Sequence, residues 1–359
     1  SKAFLEGTLD ETRLFLRPAA FYEKERIELR SGVRVAAIDR AEKVVALENG
    51  ERIAYDRLLI ATGAPPRRIA CPGADLAGVH YLRTIADSLA LRPVLAAGEP
   101  LAVIGAGYIG LEVAAVARKA GLKETVIEAV ERCLKRVACA PVSAYFETLH
   151  RGRGVDFRFA ARLAGFEGAG RVEAVRLDSS EAIPCAAALV GVGAVPATGL
   201  ADAAGLKVDN GVWVDEYART EDPAIWAAGD CASFPSGLYG RRLRLESAPN
   251  AIEQAKAAAA NMAGRPVVYD AVPWFWSDQY EVKLQTAGIG DGADEAVVRG
   301  EAGSHKLAVW YLKGGRLLAV DAINDIPAFA VGKRLIAAKA APPTKVLADP
   351  DADLKSLLA

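Results

Sequence analysis

The chain has 359 residues, which is too long for one ordinary hydrophobic core, so two or three domains are expected. Its 44 basic and 45 acidic residues leave a formal net charge of −1, and we therefore predict no nucleic-acid partner. The five cysteines form no CxxC pair, which favours a reducing, cytoplasmic setting with free thiols. The three histidines lie far apart in sequence, so we predict no metal site. The longest uncharged run, residues 182–201, is broken by proline and glycine, so we interpret it as a buried strand and loop and expect no membrane association.

The first hundred residues combine a charged, partly helical start with a series of short strands. Residues 1–30 carry many charges and look helical only in pieces. Asn49-Gly50 then predicts a hairpin turn between two strand-like runs. The buried strand Leu58–Ala61 ends at Thr62 and Gly63, where a small loop allows the backbone to come close to a ligand.

The stretch from Leu101 to Glu128 has the order that a dinucleotide-binding unit requires: strand, glycine-rich turn, helix, strand and acid. Gly105 permits the tight turn, Gly107 lets the backbone approach a pyrophosphate, and Gly110 lets the helix pack closely on the strand. The N-terminus of the helix offers N–H groups and a positive dipole end to phosphates. An ordinary glycine-containing turn is the alternative, but the complete order favours a nucleotide site.

The acid at the end of the second strand predicts which coenzyme is bound. Glu128 lies 18 residues after Gly110, where a carboxylate can accept hydrogen bonds from a ribose 2′-OH and would repel a 2′-phosphate. This favours NAD(H) over NADP(H). Arg132 and Arg136 are close in sequence and could hold a 2′-phosphate, so the alternative stays open.

A second ligand-binding edge is predicted further along the chain. Gly168–Gly170 marks a hairpin tip, and the buried strand Ala186–Val192 completes a nucleotide domain over residues 101–200. The strand Ile225–Ala228 then ends in Gly229-Asp230, which places a carboxylate at the carboxyl edge of a sheet, where α/β folds bind ligands. Asp230 could accept hydrogen bonds from a polyol; the alternative is that it caps a short helix.

The last third of the sequence predicts a helix and then a separate domain. A long Ala-rich helix follows Glu246, with Pro249 in its first turn. Pro273–Tyr280 concentrates aromatic residues, and strand-like runs lead to a helical tail from Ile326. We interpret residues 271–359 as an antiparallel sheet with helices.

Six segments of the chain, in the order in which they occur, resemble those of the FAD-dependent ferredoxin reductases. These are the NADH-dependent reductase components of aromatic-ring dioxygenase and bacterial cytochrome P450 systems (the putidaredoxin reductase-like group). The resemblance covers essentially the whole chain, and its most specific part is PWFWSDQY after the Gly-Asp motif. The segments are ATG (61–63), GAGYIGLE (105–112), VGVGAVP (190–196), TEDPAIWAAGD (220–230), ESAPNAIEQA (246–255) and PWFWSDQY (273–280).

The resemblance implies an α/β fold with two Rossmann-like nucleotide-binding domains and a C-terminal α+β domain, the FAD domain being discontinuous and the NAD domain inserted into it. The implied boundaries are 1–98 for the first part of the FAD domain, 99–214 for the NAD(H) domain, 215–270 for the second part of the FAD domain and 271–359 for the C-terminal domain. That family begins with a strand–GxGxxG–helix unit for FAD, and the first residues here match a point just after it. We therefore expect at least ~30 residues to precede this sequence, and the chain as written to bind FAD poorly.

Three residues are implied to act beside the cofactors. Lys2 would lie beside the flavin N5 region, Glu112 would approach the nicotinamide, and Trp276 would lie near the isoalloxazine towards the ferredoxin. Each has an alternative: Lys2 as a frayed terminal charge, Glu112 as an ordinary capped or paired helix residue, and Trp276 as a core residue.

The motifs together imply the positions that contact FAD or NAD(H), with Asp230 holding the ribityl chain. These positions are Thr62, Gly63, Arg67, Gly105, Gly107, Tyr108, Ile109, Gly110, Glu128, Arg136, Gly193, Gly229, Asp230, Glu246, Ser247, Ala248 and Trp276.

The implied activity is the transfer of electrons from NADH through FAD to a [2Fe–2S] ferredoxin that supplies a P450 or a ring-hydroxylating oxygenase. The ferredoxin is expected to be acidic and to dock transiently, and the reductase to be a cytoplasmic monomer or homodimer. Candidate docking residues are Arg241, Arg242, Lys306, Lys313 and Arg316. The alternatives are an NADH oxidase or disulfide reductase of the same architecture, an NADH-sensing protein resembling apoptosis-inducing factor, and, least favoured, a plain NAD-binding module.

Overall fold

The computed structural model describes residues 2–301 and 303–358. Short 3₁₀ helices span Glu11–Leu14 and Leu354–Leu358. The α-helices are α1 (Lys2–Leu5), α2 (Ala19–Lys24), α3 (Ile85–Ala97), α4 (Tyr108–Lys119), α5 (Ala140–Gly152), α6 (Gly199–Ala203), α7 (Ala248–Met262), α8 (Ile326–Ala337) and α9 (Thr344–Ala348).

The strands are distributed along the whole chain. They are β1 (Val35–Asp39), β2 (Val44–Leu47), β3 (Arg52–Ala54), β4 (Leu58–Ile60), β5 (Val79–His80), β6 (Leu101–Ile104), β7 (Glu124–Ile127), β8 (Asp156–Arg158), β9 (Leu163–Glu167), β10 (Ala174–Leu177), β11 (Ala182–Pro184), β12 (Ala187–Val190), β13 (Val212–Trp213), β14 (Ile225–Ala227), β15 (Ala232–Ser236), β16 (Arg241–Leu243), β17 (Trp274–Gln279), β18 (Val282–Gly288), β19 (Glu295–Arg299), β20 (Leu307–Lys313) and β21 (Arg316–Ile323).

The chain divides into two compact units. One unit contains the residues up to Asp10, Pro66–Ala194 and the residues from Trp274 onwards. The other contains Glu11–Pro65 and Val195–Pro273. The predicted domain boundaries stay predictions.

A parallel five-stranded sheet forms the centre of the first unit, in the order β5-β12-β6-β7-β8. All four residues of β6 and all four of β12 are buried, as expected for strands covered on both faces. Val103 of β6 lies opposite Val126 on one side and Leu189 on the other, and all three side chains are fully buried. The apolar, Ala-rich α4 connects β6 to β7, which confirms the predicted βαβ order.

The first unit also contains two antiparallel sheets. The smaller one has the order β11-β10-β9, and its β9–β10 pair confirms the predicted hairpin at Gly168–Gly170. The larger one has the order β17-β18-β21-β20-β19. Helix α8 packs closely on this sheet at Gly332, where a Cβ would lie 2.4 Å from Val320 Cγ1.

The second unit contains shorter strands and the long helix α7. Strands β1-β2-β3 form an antiparallel sheet, and the β2–β3 pair confirms the hairpin predicted at Asn49-Gly50. Strand β14 pairs in parallel with β4, so both strands end at the same edge. Strands β13-β15-β16 form a further small sheet.

Candidate functional site

The three glycines of the turn between β6 and α4 differ in what a side chain at each position would meet. Gly105 has φ +102°, and a Cβ there would lie 2.5 Å from the carbonyl oxygen of Gly191. A Cβ on Gly110 would lie 2.0 Å from the carbonyl oxygen of Gly105, so helix and strand pack too closely for any side chain. A Cβ on Gly107 would meet no described atom within 4 Å. The open side of Gly107 therefore fits a pyrophosphate.

Helix α4 begins directly at this turn. Gly107 is its N-cap, and no side chain of the described chain caps the helix there. The ring of Tyr108, in the first turn, packs edge-on against Phe275 with a centroid distance of 4.6 Å, while Ile109 is half exposed. The N-terminal N–H groups are thus presented as phosphate-binding helices present them.

Glu128 lies just past the end of β7, and its carboxylate reaches back to the glycine-rich turn. The backbone N–H of Ala106 donates to Glu128 Oε2 at 2.8 Å, and the N–H of Val130 donates to Oε1 at 3.2 Å. These bonds fix the half-buried carboxylate beside the turn, where it fits a ribose.

Arg132 and Arg136, the two arginines that could hold a 2′-phosphate, differ in their surroundings. Arg132 Nη1 donates to the carbonyl oxygen of Ala138 at 2.9 Å and also to Ser143 Oγ, so this guanidinium is engaged inside the fold. Arg136 is exposed, and its Nη2 lies 3.9 Å from the position of a Cβ on Gly193.

Lys2 and Glu112 form an ion pair, with Lys2 Nζ 2.8 Å from Glu112 Oε1. The hydroxyl of Ser277 donates to the same oxygen at 2.7 Å, and Asp278 Oδ2 lies 3.9 Å from the ammonium. The side chains of Lys2 and Glu112 are only 26% and 17% exposed. The alternative that Lys2 is a frayed terminal charge is therefore wrong, whereas Glu112 is indeed a paired helix residue. Sequence reasoning missed Ser277.

Trp276 lies on β17 and is 44% exposed, so the alternative of a core residue is wrong. Its ring lies 5.7 Å from that of Trp274 with an interplanar angle of 30°. Successive side chains of a strand point to opposite faces. Ser277 and Gln279, on the face opposite Trp276, are accordingly fully buried.

Hydrogen bonds to the segment around Ala197 close the loop after β4. Thr62 Oγ1 donates to the carbonyl oxygen of Ala197 at 2.6 Å, and the N–H of Ala197 donates to the carbonyl oxygen of Gly63 at 2.9 Å. In the first unit, Arg67 is exposed, and its backbone N–H donates to the carbonyl oxygen of Gly193 at 2.8 Å. The assignment of Thr62, Gly63 and Arg67 to the FAD site stays a prediction.

The Gly229-Asp230 motif follows β14, and strand β15 begins two residues later, so the alternative that Asp230 caps a helix is wrong. Gly229 has φ +81°, and its N–H donates to Gln254 Oε1 at 2.8 Å. The other end of that amide, Gln254 Nε2, is buried and has no hydrogen-bond acceptor among the described residues. A buried donor without an acceptor is costly, so this edge fits an acceptor-rich ligand such as FAD.

The start of α7 carries three of the predicted cofactor positions. Ser247 is the N-cap, and its Oγ accepts the N–H of Asn250 at 3.3 Å. Ala248 is the first helical residue, and the Glu246 carboxylate pairs with Arg244 Nη1 at 2.7 Å. Arg244 Nη1 also donates to the carbonyl oxygen of Asp230 at 3.2 Å, which ties the two motifs together.

One of the five predicted docking residues is engaged inside the fold. The Arg242 guanidinium lies 3.5 Å from the ring centroid of Trp213, and Nη2 donates to the carbonyl oxygen of Val214 at 2.7 Å. Burial lowers the pKa of Arg242 below its ordinary value. A docking role for the predicted residues stays a prediction.

Residues 2–301 and 303–358 contain no group of three or more His, Cys, Asp or Glu side chains placed to hold a metal ion. No helix within the same residues has the length and apolar character needed to cross a bilayer.

Comparison with known proteins gives consistent matches along the chain. Residues 2–255 match the pyridine nucleotide-disulphide oxidoreductase family, and residues 274–358 match the reductase C-terminal family. The probable ferredoxin reductase CtmF of Castellaniella defragrans is 45% identical over 359 residues, covering 99% of this chain and 88% of that protein. Putidaredoxin reductase CamA of Pseudomonas putida is 41% identical, covering 100% and 86%. The crystal structure of the covalent putidaredoxin reductase–putidaredoxin complex matches with a TM-score of 0.97 at 41% identity, covering 99% of this chain and 87% of that one.

These matches confirm the predicted fold class and an oxidoreductase with FAD and NAD(H) as cofactors. They also confirm the resemblance on which the site assignments depend, although the assignments themselves stay predictions. The chain belongs to the pyridine nucleotide-disulphide oxidoreductase family, in its group of putidaredoxin reductase-like ferredoxin reductases.

Proposed function

We propose that this chain passes electrons from NADH through FAD to a [2Fe–2S] ferredoxin that supplies a cytochrome P450 or a ring-hydroxylating oxygenase. The observation that carries the proposal is the similarity to ferredoxin reductases over essentially the whole chain, including the C-terminal sheet that carries Trp276. When bound, FAD takes up a hydride and releases the electrons one at a time, which is what a one-electron acceptor requires.

The NADH-binding role belongs to the turn between β6 and α4. The open side of Gly107 and the N-terminus of α4 bind the pyrophosphate, and Glu128 accepts hydrogen bonds from the adenosine ribose. Of these two arginines, Arg132 is engaged inside the fold, whereas Arg136 is exposed and could reach a 2′-phosphate. The arrangement supports a preference for NADH.

The FAD-binding role belongs to the loop after β4, the Gly229-Asp230 motif and the start of α7. Asp230 holds the ribityl chain, and the unsatisfied amide of Gln254 marks a position where an acceptor is needed. Lys2, fixed by Glu112, supplies a positive charge to the flavin N5 region. A fixed ammonium stabilises negative charge that develops on a bound group without any reorganisation of water.

The exposed face of Trp276 supports an interaction surface for the ferredoxin. Aromatic side chains are favoured at the centres of protein interfaces, and electron-transfer complexes are small and short-lived. The reductase acts as a monomer or homodimer in the cytoplasm.

The buried cysteines argue against a disulfide reductase. Burial raises the pKa of the Cys133 thiol to about 12 and that of Cys185 to about 11. Because the thiolate is the nucleophile in thiol–disulfide exchange, both groups are poorly suited to it near pH 7.

The choice of electron acceptor tests the proposal. The FAD-loaded protein is supplied with NADH and, in parallel, with a [2Fe–2S] ferredoxin, a low-molecular-weight disulfide or oxygen. We expect NADH consumption to be fastest with the ferredoxin, and faster with NADH than with NADPH. Faster turnover with the disulfide or with oxygen would contradict the proposal.

A further inference from the structure

A line of buried polar side chains leads away from Glu112 through β17 to the last turn of α5. Its members are fully buried, and neither the nucleotide turn nor the Trp276 face uses them. Ser277 Oγ lies 2.7 Å from Glu112 Oε1, Gln279 Nε2 lies 3.2 Å from Ser277 Oγ, and His150 Nε2 lies 2.8 Å from Gln279 Oε1. Polar groups placed this deeply are costly unless every one is satisfied, so the line is a built feature of the fold.

The direction of every hydrogen bond in the line follows from its end at Glu112. A carboxylate can only accept, so the Ser277 hydroxyl donates its single hydrogen to Glu112. Ser277 Oγ must then accept from Gln279, which therefore turns its NH₂ group towards the serine and its carbonyl oxygen towards His150. His150 must in turn carry its hydrogen on Nε2.

The surroundings of His150 agree with that tautomer. Its other nitrogen, Nδ1, lies 3.4 Å from the hydroxyl of Tyr280, which can donate to it. Burial lowers the pKa of the His150 imidazole to about 4, so the ring is neutral at pH 7 and keeps one N–H. All donors in the line therefore point towards Glu112, and bonds aligned in one direction strengthen one another.

We propose that His150 is a positioning residue for electron transfer from NADH. Through Gln279 and Ser277 its Nε2–H tautomer keeps a donor on Glu112 Oε1, and so holds the carboxylate that fixes the Lys2 ammonium. The proposal rests on the proposed function, because it assigns the Lys2–Glu112 pair to the cofactor site. It extends that function to a side chain that contacts neither residue of the pair.

Removing the N–H of His150 allows the hydrogen bonds between Gln279, Ser277 and Glu112 to change direction. In His150→Phe, the carbonyl oxygen of Gln279 loses its donor, and the amide can rotate by half a turn. Ser277 can then donate to Gln279 instead of to Glu112, which leaves the carboxylate less well oriented. His150→Gln returns an N–H donor to the position of Nε2 and is the matched control.

The kinetic experiment uses the FAD-loaded protein and follows flavin reduction by NADH in a stopped-flow instrument. We expect the limiting rate to fall roughly tenfold or more in His150→Phe and to recover in His150→Gln, with the NADH dissociation constant unchanged in both. If His150 had a merely structural role, the limiting rate would fall equally in both variants, and the fall would accompany a lowered melting temperature. Equal limiting rates in wild type and a folded His150→Phe would overturn the proposal, and so would equal losses in the two variants.

The tautomer itself is measured on the wild-type protein by nitrogen-15 NMR of the histidine rings. The chain has only three histidines, and comparison with His150→Gln assigns the signal. We expect a neutral ring with its hydrogen on Nε2 from pH 6 to 8, and a hydrogen on Nδ1 would overturn the proposal. This readout needs no turnover, so it separates the two claims: a wild-type protein with the Nε2–H tautomer but no ferredoxin reduction refutes the proposed function alone.

Discussion

In the proposed NADH site, the Glu128 carboxylate serves both the protein and the coenzyme. Its two oxygens accept N–H groups of Ala106 and Val130, yet each carboxylate oxygen has a further lone pair. The same group therefore fixes the glycine-rich turn and still has lone pairs that can accept hydrogen bonds from the ribose in the proposed site. Its negative charge also disfavours a 2′-phosphate at this position.

Substitution of Glu128 tests the predicted preference for NADH. In Glu128→Ala we expect KM for NADH to rise roughly tenfold or more with kcat almost unchanged, because the ribose contact is the same in the ground state and the transition state. Glu128→Gln keeps one acceptor and should lie between. Steady-state kinetics with both coenzymes should also show the ratio of NADPH to NADH use rising, since Arg136 remains. An unchanged ratio in both variants would refute the assignment.

Some site residues could not be found from the sequence. Gly105, Gly107, Gly110 and Glu128 belong to one local motif, so their spacing alone placed them together. The contacts of Ser277 with Glu112 and of His150 with Gln279 join positions 165 and 129 residues apart. The single available signal was the period-two pattern of β17, which puts Ser277 and Gln279 on the same face.

At the scale of elements, the turn between β6 and α4 offers a matched pair of substitutions. Gly110→Ala places a Cβ 2.0 Å from a carbonyl oxygen, whereas a Cβ at Gly107, where φ is −79°, meets no described atom. We expect Gly110→Ala to lower the free energy of unfolding by roughly 1–3 kcal/mol or more. Gly107→Ala should leave it unchanged but weaken NADH binding, as measured by calorimetry. Unchanged NADH affinity in Gly107→Ala would show that the pyrophosphate binds elsewhere.

Strand β21 carries a buried acid that makes stability depend on pH. Asp321 is 1% exposed, and its carboxylate accepts hydrogen bonds from Thr286 Oγ1, at 2.5 Å, and from the Tyr311 hydroxyl. Burial raises the pKa of Asp321 from 3.8 to about 6. Between these values the folded chain holds a proton that the unfolded chain has released, so stability falls as the pH rises through this window.

Asp321→Asn should remove that dependence. Relative to wild type, we expect the variant to gain on the order of 3 kcal/mol of unfolding free energy between pH 3 and pH 7, with almost no further change at higher pH. Urea unfolding at a series of pH values measures this difference, and the exposed Glu253→Gln serves as the control. Parallel curves for wild type and Asp321→Asn would contradict the assignment.

At the scale of the molecule, local patterns predicted most of the elements. The βαβ unit, the hairpins at Asn49-Gly50 and Gly168–Gly170, and the antiparallel C-terminal sheet were predicted because turn residues and hydrophobic periodicity act over short stretches. Sheet order could not be predicted in the same way. The pairing of β12 between β5 and β6, for example, depends on contacts among strands about 80 to 110 residues apart.

An anaerobic titration of the FAD-loaded protein with NADH tests the proposed electron relay from NADH to a ferredoxin. We expect about one NADH to bleach each oxidised flavin, and added oxidised [2Fe–2S] ferredoxin to restore the oxidised spectrum. A reduced flavin that ignores ferredoxin but is reoxidised by a disulfide or by oxygen would contradict it. An NADH-dependent change in oligomeric state with only slow ferredoxin reduction would contradict it as well.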